Sequence, residues 1–138
     1  MLARDMMHAG AECVGEHDSL QFTAERMRDL DVGCMPICGD DDKLHGIVTD
    51  RDIVLRCCAE GRDPSTMTAG ELAQGTVIWI SADARDEQVL EAMTRNRIKR
   101  LPVIEDGRLV GMISEADVAR HLPDEAVAEL TEKIYANR

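Results

Sequence analysis

The segment Gly46-Ile-Val-Thr-Asp-Arg-Asp52 is the main indication of the fold, because a second version, Gly111-Met-Ile-Ser-Glu-Ala-Asp117, follows later in the chain. The segments upstream also match: Val32–Asp40 corresponds to Ile98–Asp106, with a proline at the centre of each. The matched prolines lie 66 residues apart and the matched final aspartates 65, so the first copy has one extra residue between these points. A recurrence of this length predicts two copies of one structural unit.

Each copy has the same predicted order of elements, β-α-β-β-α, which is typical of the α/β (α+β) fold class. Apolar residues recur at helical spacing in Ser19–Leu30 and Ala84–Arg95, and a second helix begins near Asp50 and near Glu115. The strands are short runs rich in strand-forming residues and bounded by turns. In chain order, we predict strands at Glu12–Gly15, Met35–Cys38, Leu44–Val48, Thr76–Ile80, Leu101–Ile104 and Leu109–Ile113.

The repeat also predicts how the chain is divided. We place a first repeat at residues 1–61 and a second at residues 62–138, with Gly61-Arg-Asp-Pro-Ser65 as the linker and Asp124–Tyr135 as a terminal helix. A unit of about 60 residues is only marginally stable alone. The two repeats are therefore predicted to pack sheet against sheet with pseudo-two-fold symmetry, which would create two equivalent clefts where they meet.

Composition and charge exclude several classes of protein. The 138 residues are 44% hydrophobic, and 16 Lys and Arg against 27 Asp and Glu give a net charge of −11. Such a surface repels nucleic acid, and three aromatic residues are too few for a base-stacking platform. No apolar run approaches the roughly 20 residues that cross a bilayer, and the N-terminus lacks the apolar core of a signal peptide. We therefore predict a cytoplasmic protein that binds neither nucleic acid nor membranes.

The repeated pattern Gly-x-x-Thr/Ser-x-x-Asp supports two interpretations. Thr49 with Asp52, and Ser114 with Asp117, have the spacing of a capping box, in which hydroxyl and acid satisfy backbone N–H groups at the start of a helix. The same groups also suit a ligand, because a helix N-terminus binds phosphate and a carboxylate can accept both hydroxyls of a ribose. The two roles are compatible, and the sequence leaves both open.

Because of this doubled pattern, the chain resembles a tandem pair of CBS domains, a Bateman module. The shared motif is apolar-Pro-apolar-apolar, an acidic turn and Leu-x-Gly-apolar-apolar-Thr/Ser-x-x-Asp-apolar, and it covers nearly the whole chain. The resemblance implies a regulatory module that binds adenosine nucleotides in the clefts between repeats. By position, Thr49 and Ser114 would contact phosphate or ribose oxygens, and Asp52 and Asp117 the ribose diol.

The resemblance further implies a role for basic residues that precede the apolar-Pro strand, since these often hold phosphate in nucleotide-binding relatives. The second repeat has Lys99 and Arg100 there, whereas the first has Gly33 and Cys34. We therefore expect tighter binding at the second position. The alternative is that the two cations only complement the C-terminus of the preceding helix.

Cysteine, histidine and aspartate spacings assign no metal site. The five cysteines contain no Cys-x-x-Cys pair and the four histidines no zincin spacing, although a Cys/His site assembled by folding stays open. Asp40-Asp41-Asp42 is an acidic turn rather than a calcium loop, because loop position twelve would fall on Arg51. Cys13 and Cys38 lie on predicted strands that flank one helix. They either form a disulfide, with Cα atoms about 4.4–6.8 Å apart, or remain buried thiols in a reducing cytoplasm.

The chain carries no Gly-x-Ser-x-Gly elbow and no phosphate-binding glycine loop, so we predict that it is not an enzyme and has no catalytic residues. We interpret it as a stand-alone regulatory pair that requires no cofactor. Its ligand would be AMP, ADP, ATP or S-adenosylmethionine, and an unidentified effector protein would respond to it. The alternative is a stress-related protein-interaction or redox/metal-responsive factor that binds no nucleotide.

The helices carry more apolar side chains than two small layers easily bury, which predicts a homodimer packed about a two-fold axis. The competing interpretation is a monomer with these residues in its core. The predicted outer face consists of Met27, Val54, Leu55, Met93, Val118 and Ala119.

Overall fold

The computed structural model describes residues 1–10, 12–73 and 77–136. The chain divides into two compact units: the first unit is Glu12–Val77, and the second unit combines Met1–Ala11 with Ile78–Arg138. The predicted mixed α/β class is confirmed, since each unit combines helices with its own sheet. Within the described part of the chain, no helix has both the length and the apolar character needed to cross a membrane.

The elements follow one another closely, and the helices and strands of both units are numbered together along the chain. They are α1 (Ala3–Met6), β1 (His8–Ala9), β2 (Val14–Gly15), α2 (Leu20–Leu30), β3 (Cys34–Cys38), β4 (Leu44–Thr49), α3 (Asp50–Ile53), a π-helical turn (Val54–Cys58), α4 (Ala69–Leu72), β5 (Ile80–Ser81), α5 (Asp86–Asn96), β6 (Arg100–Glu105), β7 (Arg108–Ser114), α6 (Glu115–His121) and α7 (Asp124–Tyr135).

The first unit has a three-stranded sheet in the order β2-β3-β4. Strand β2 runs parallel to β3, with α2 as the crossover, and β3 and β4 form an antiparallel hairpin. The α2 helix begins after Ser19, whose Oγ accepts a hydrogen bond from the Phe22 N–H at 3.0 Å, and it ends at Asp31 in the left-handed conformation. The predicted order β-α-β-β-α is therefore confirmed in this unit.

The second unit repeats this order with β5, α5, β6, β7 and α6, and its sheet has the order β1-β7-β6-β5. Strand β5 covers Ile80–Ser81, at the end of the strand predicted over residues 76–80; residues 74–76 lie outside the described part of the chain. The additional strand β1 comes from the start of the chain and pairs antiparallel with β7.

The compact units therefore do not follow the division of the sequence between residues 61 and 62, because the N-terminal segment joins the second repeat through β1. The sequence division remains a prediction about the repeats themselves. Each unit has its own apolar core, in which the sheet is covered by its helices.

The burial of the helices corrects the predicted outer face. Met27, Met93 and Val118 are buried in the cores of their units, so their placement on an outer face was wrong. The physical reason is helical periodicity, since residues three or four positions apart share the core-facing stripe. Three other members of the predicted face, Val54, Leu55 and Ala119, are exposed. The homodimer stays a prediction.

Cys13 and Cys38 form a disulfide with their Cα atoms 5.8 Å apart. The sheet explains this proximity, because Gly15 is the register partner of Cys38 across the β2–β3 pair. Among the free cysteines, Cys57 is buried and donates its thiol to the Arg62 carbonyl at 3.5 Å. Burial raises the pKa of the Cys57 thiol, which disfavours the reactive thiolate.

Candidate functional site

At both repeated glycines of the motif, another segment of the chain passes so close that a side chain would not fit. A Cβ on Gly111 would lie 2.7 Å from the His8 carbonyl oxygen, so glycine is what allows β1 to pair with β7. A Cβ on Gly46 would lie 2.7 Å from the Cβ of Ala73, which follows α4. The glycine therefore has the same steric purpose in both repeats, although the segment that approaches differs.

The Thr/Ser and Asp residues of the motif form capping boxes in both units, which confirms the helix-capping interpretation. In the first unit, Thr49 Oγ1 accepts from the Asp52 N–H and Asp52 Oδ2 accepts from the Thr49 N–H, both at 3.0 Å. In the second unit, Asp117 Oδ2 accepts from the Ser114 N–H at 2.8 Å, and Ser114 Oγ accepts from the Asp117 N–H at 3.3 Å. These bonds fix where α3 and α6 begin.

The two motif aspartates differ in their surroundings. The side chain of Asp117 is only 1% exposed, and its Oδ1 accepts a hydrogen bond from Arg120 and lies 3.1 Å from His8 Nε2. Its Oδ2 accepts from the Ser114 hydroxyl at 3.0 Å in addition to the backbone. Asp52 is half-buried, and among the described residues Thr49 is its hydrogen-bonding partner. Both oxygens of Asp117 are thus engaged, whereas Asp52 Oδ1 has no hydrogen-bonding partner among the residues that the structure describes.

The sheet register brings the predicted site residues of each repeat together. Arg100 is the cross-strand partner of Ser114, and Cys34 is the partner of Thr49 at the corresponding place in the first unit. The Lys99 carbonyl also accepts from the N–H of Glu115 at 3.2 Å. The basic pair and the hydroxyl predicted from the second repeat are therefore neighbours at one edge of its sheet.

Lys99, Arg100 and Ser114 line a cavity of about 590 Å³ that opens to the surface of the second unit. The wall opposite these residues is formed by α7. The sequence predicts this helix but not its position at the site. Tyr135, in the last turn of α7, donates its hydroxyl to Glu115 Oε1 at 3.2 Å, and its ring centroid lies 4.4 Å from Lys99 Nζ. Asp117 is not among the cavity-lining residues that the structure describes. Its ribose role stays a prediction.

A second group of polar residues lies in the first unit, at the turns after β2 and β3. Glu16, His17 and Asp40 each offer a ligand atom, and these atoms all lie within 4.8 Å of one another. Their proximity follows from the parallel pairing of β2 with β3, because the turns that leave two adjacent parallel strands lie at the same edge. No sequence spacing indicates this group, since α2 separates Asp40 from Glu16 and His17 along the chain.

Further polar side chains surround this group. His45 Nδ1 lies 3.3 Å from Glu16 Oε2, and its Nε2 lies 3.1 Å from Asp41 Oδ1. The Lys43 backbone N–H donates to Asp41 and, together with His45, holds the pKa of that carboxyl below its ordinary value. The turn that was predicted from Asp40-Asp41-Asp42 is thus a polar surface that contains imidazoles as well as carboxylates.

Sequence comparison assigns the two repeats to a known domain family. The CBS domain family model matches residues 3–57 and 69–124. Hypoxic response protein 1 of Mycobacterium tuberculosis is 50% identical over 132 residues, which span 96% of this chain and 92% of that protein. These matches confirm the resemblance that the doubled motif indicates.

Comparison with solved structures gives the same result as the sequence comparison. The crystal structure of Hypoxic Response Protein I with two coordinated zinc ions superposes with a TM-score of 0.82 at 52% identity, covering 89% of this chain and 100% of that one. A conserved CBS domain protein of unknown function from Thermoplasma acidophilum shares the fold, with a TM-score of 0.84 at 17% identity over 96% of this chain and 75% of its own. The chain therefore belongs to the CBS domain family and carries two CBS domains.

Proposed function

We propose that the protein is a regulatory, non-catalytic CBS pair that binds an adenosine nucleotide at the cavity of its second unit. The observation that carries this proposal is the placement of Lys99, Arg100 and Ser114 around one cavity of about 590 Å³, a volume suited to a small molecule. Ammonium and guanidinium groups are strong phosphate partners. In a chain of net charge −11, two cations beside a cavity favour an anionic ligand there.

In this proposal, the predicted site residues make different contributions to ligand binding. Arg100, which is exposed, and Lys99 would hold phosphate, and the Ser114 hydroxyl would add a hydrogen bond. Asp52 belongs to the first unit and does not line this cavity, so its contact with a ribose stays a separate prediction. Asp117 would reach a ribose only by giving up Arg120 or His8, so its main contribution is to hold the start of α6.

The nucleotide proposal predicts a specific loss of affinity in Arg100→Ala. Titration calorimetry with AMP, ADP, ATP and S-adenosylmethionine should detect binding of at least one of them. We expect Arg100→Ala to weaken that binding about tenfold or more, the scale of a charge-assisted hydrogen bond. Arg95→Ala is the matched control, because Arg95 is exposed and does not line this cavity. Equal affinities of the two variants, or no binding of any of the four compounds, would contradict the proposal.

We infer a second candidate function, the binding of a divalent metal ion, from the Glu16, His17 and Asp40 group. One imidazole and two carboxylates are ligands that Zn²⁺ accepts, and three protein ligands leave a fourth position open. The zinc ions coordinated in the related Hypoxic Response Protein I support this choice of metal. His45 and Asp41, beside the group, would act as outer partners that orient Glu16.

The metal proposal predicts that His17→Ala lowers zinc affinity at least about tenfold, because one of three ligands is lost. The measurement is zinc titration of protein treated with chelator and then freed of it. His121→Ala serves as the control, since His121 is an exposed histidine outside the group. Zinc that binds both variants and the unaltered protein with the same affinity would place the metal elsewhere and defeat this candidate.

A further inference from the structure

We propose that Tyr135 is a latch whose side chain ties the end of α7 to the wall of the cavity, and that an anionic ligand opens the latch by drawing Lys99 away from the tyrosine ring. This inference rests on the proposed nucleotide site, whose regulation it describes. The latch would make the position of the Tyr135 side chain depend on whether the cavity is occupied.

One face of α7 forms a wall of the cavity. Val127, Leu130, Thr131 and Tyr135 all line it. Their spacing of three, four and eight residues from Val127 puts them on the same side of a helix. Leu130 is 1% exposed and belongs to the apolar core of the second unit, so the middle of α7 is anchored there.

The last turn of α7 also packs on this core through Ile134, and its Tyr135 side chain adds contacts to the residues of the cavity. The Tyr135 ring lies 4.4 Å from Lys99 Nζ, and its hydroxyl donates to Glu115 Oε1 at 3.2 Å. Lys99 and Glu115 both line the cavity. The end of α7 is therefore tied to groups that a ligand in the cavity would meet.

The charges of Lys99 and Glu115 explain why an anion would release the Tyr135 side chain. A phosphate paired with Lys99 competes with the tyrosine ring for the same ammonium, and the ring is the weaker partner. The same phosphate repels the Glu115 carboxylate, which accepts the other Tyr135 contact. The Lys99 and Glu115 contacts weaken together, while Leu130 and Ile134 keep α7 packed on the core. By thermodynamic reciprocity, removal of the latch must tighten binding of the ligand.

The first test needs no ligand. Tyr135 is the single tyrosine of the chain, so the NMR signals of a labelled tyrosine ring report on it alone. We expect Lys99→Gln to move these signals toward the positions of an unstructured tyrosine. Lys133→Gln is the control, because Lys133 lies on the same helix but pairs with Glu129 and does not line this cavity. Equal signals in Lys99→Gln and the unaltered protein would overturn the latch.

The second test uses AMP as the probe. Titration of the unaltered protein should move the ring signals in the direction that Lys99→Gln moves them. Tyr135→Leu should bind AMP about two- to fivefold more tightly, which corresponds to the loss of one cation–π contact. Tyr135→Phe keeps the ring over Lys99 and loses only the hydroxyl, so its change should be smaller.

The outcomes separate the latch from the proposed function. Weaker AMP binding by Tyr135→Leu would overturn the latch and leave the nucleotide site standing, because Tyr135 would then be part of the binding surface. If AMP binds neither the unaltered protein nor any variant, the proposed function fails for this ligand. The latch contact is then judged by the Lys99→Gln ring signals alone.

Discussion

The double variant Cys13→Ala, Cys38→Ala is expected to unfold with a free energy about 3.5 kcal/mol lower than that of the unaltered protein. The disulfide closes a loop with a sequence separation of 25 residues, and the chain-entropy relation gives about this value for such a loop. The loop contains α2 and connects β2 to β3. Removing the disulfide mainly raises the conformational entropy of the unfolded chain, because the bridge restricts that chain. Urea unfolding of both proteins without reductant measures the difference.

Cys58→Ala is the matched control for the disulfide, because Cys58 is a free, exposed cysteine. We expect it to change stability by less than about 0.5 kcal/mol, as is usual for surface substitutions. Alkylation of the unaltered, unfolded protein without reduction should label three cysteines, Cys34, Cys57 and Cys58. Labelling of five, or equal stabilities of the double variant and Cys58→Ala, would refute the bridge.

The second large effect is expected for Asp117→Ala, which should lower the free energy of unfolding by about 3 kcal/mol. Its buried carboxylate caps α6 and accepts hydrogen bonds from the Ser114 hydroxyl and Arg120. Loss of a cap costs about 1 kcal/mol, and hydrogen bonds to a charged group contribute about 1.5–3 kcal/mol. Denaturant unfolding, followed by circular dichroism, gives the value.

Asp52→Ala provides the internal comparison, because Asp52 occupies the same motif position. It caps α3 in the same way but is half-buried and lacks the Arg120 and His8 partners of Asp117. We expect a loss of about 1 kcal/mol for this variant. A loss in Asp52→Ala as large as that in Asp117→Ala would show that the additional partners of Asp117 contribute nothing to stability.

The contrast between the two repeats also bears on function. Both have the order β-α-β-β-α and a capping box at the same place, but only the second carries a basic pair at the start of the strand opposite the capping hydroxyl. The first carries the disulfide and the Glu16, His17 and Asp40 group instead. On our proposals, the second unit binds the nucleotide, and the first unit offers a place for a metal ion.

The repeat, the order of the elements and the ends of several helices can be predicted from the sequence alone. The start of α3 at Asp50, the start of α6 at Glu115 and the span of α7 over Asp124–Tyr135 all agree with the prediction. These features depend on local signals, since caps, turns and apolar periodicity act over a few neighbouring residues.

Which distant residues contact one another depends on the tertiary structure alone. His8 reaches Asp117 because β1 pairs with β7, and Glu16 meets Asp40 because two parallel strands end at one edge. Tyr135 meets Lys99 where α7 forms one wall of a cavity. Such contacts depend on chain packing across 20 to 110 residues, which no local pattern encodes. For the same reason, the motif predicted Asp52 and Asp117 as equals, and only their surroundings made one of them buried and the other accessible.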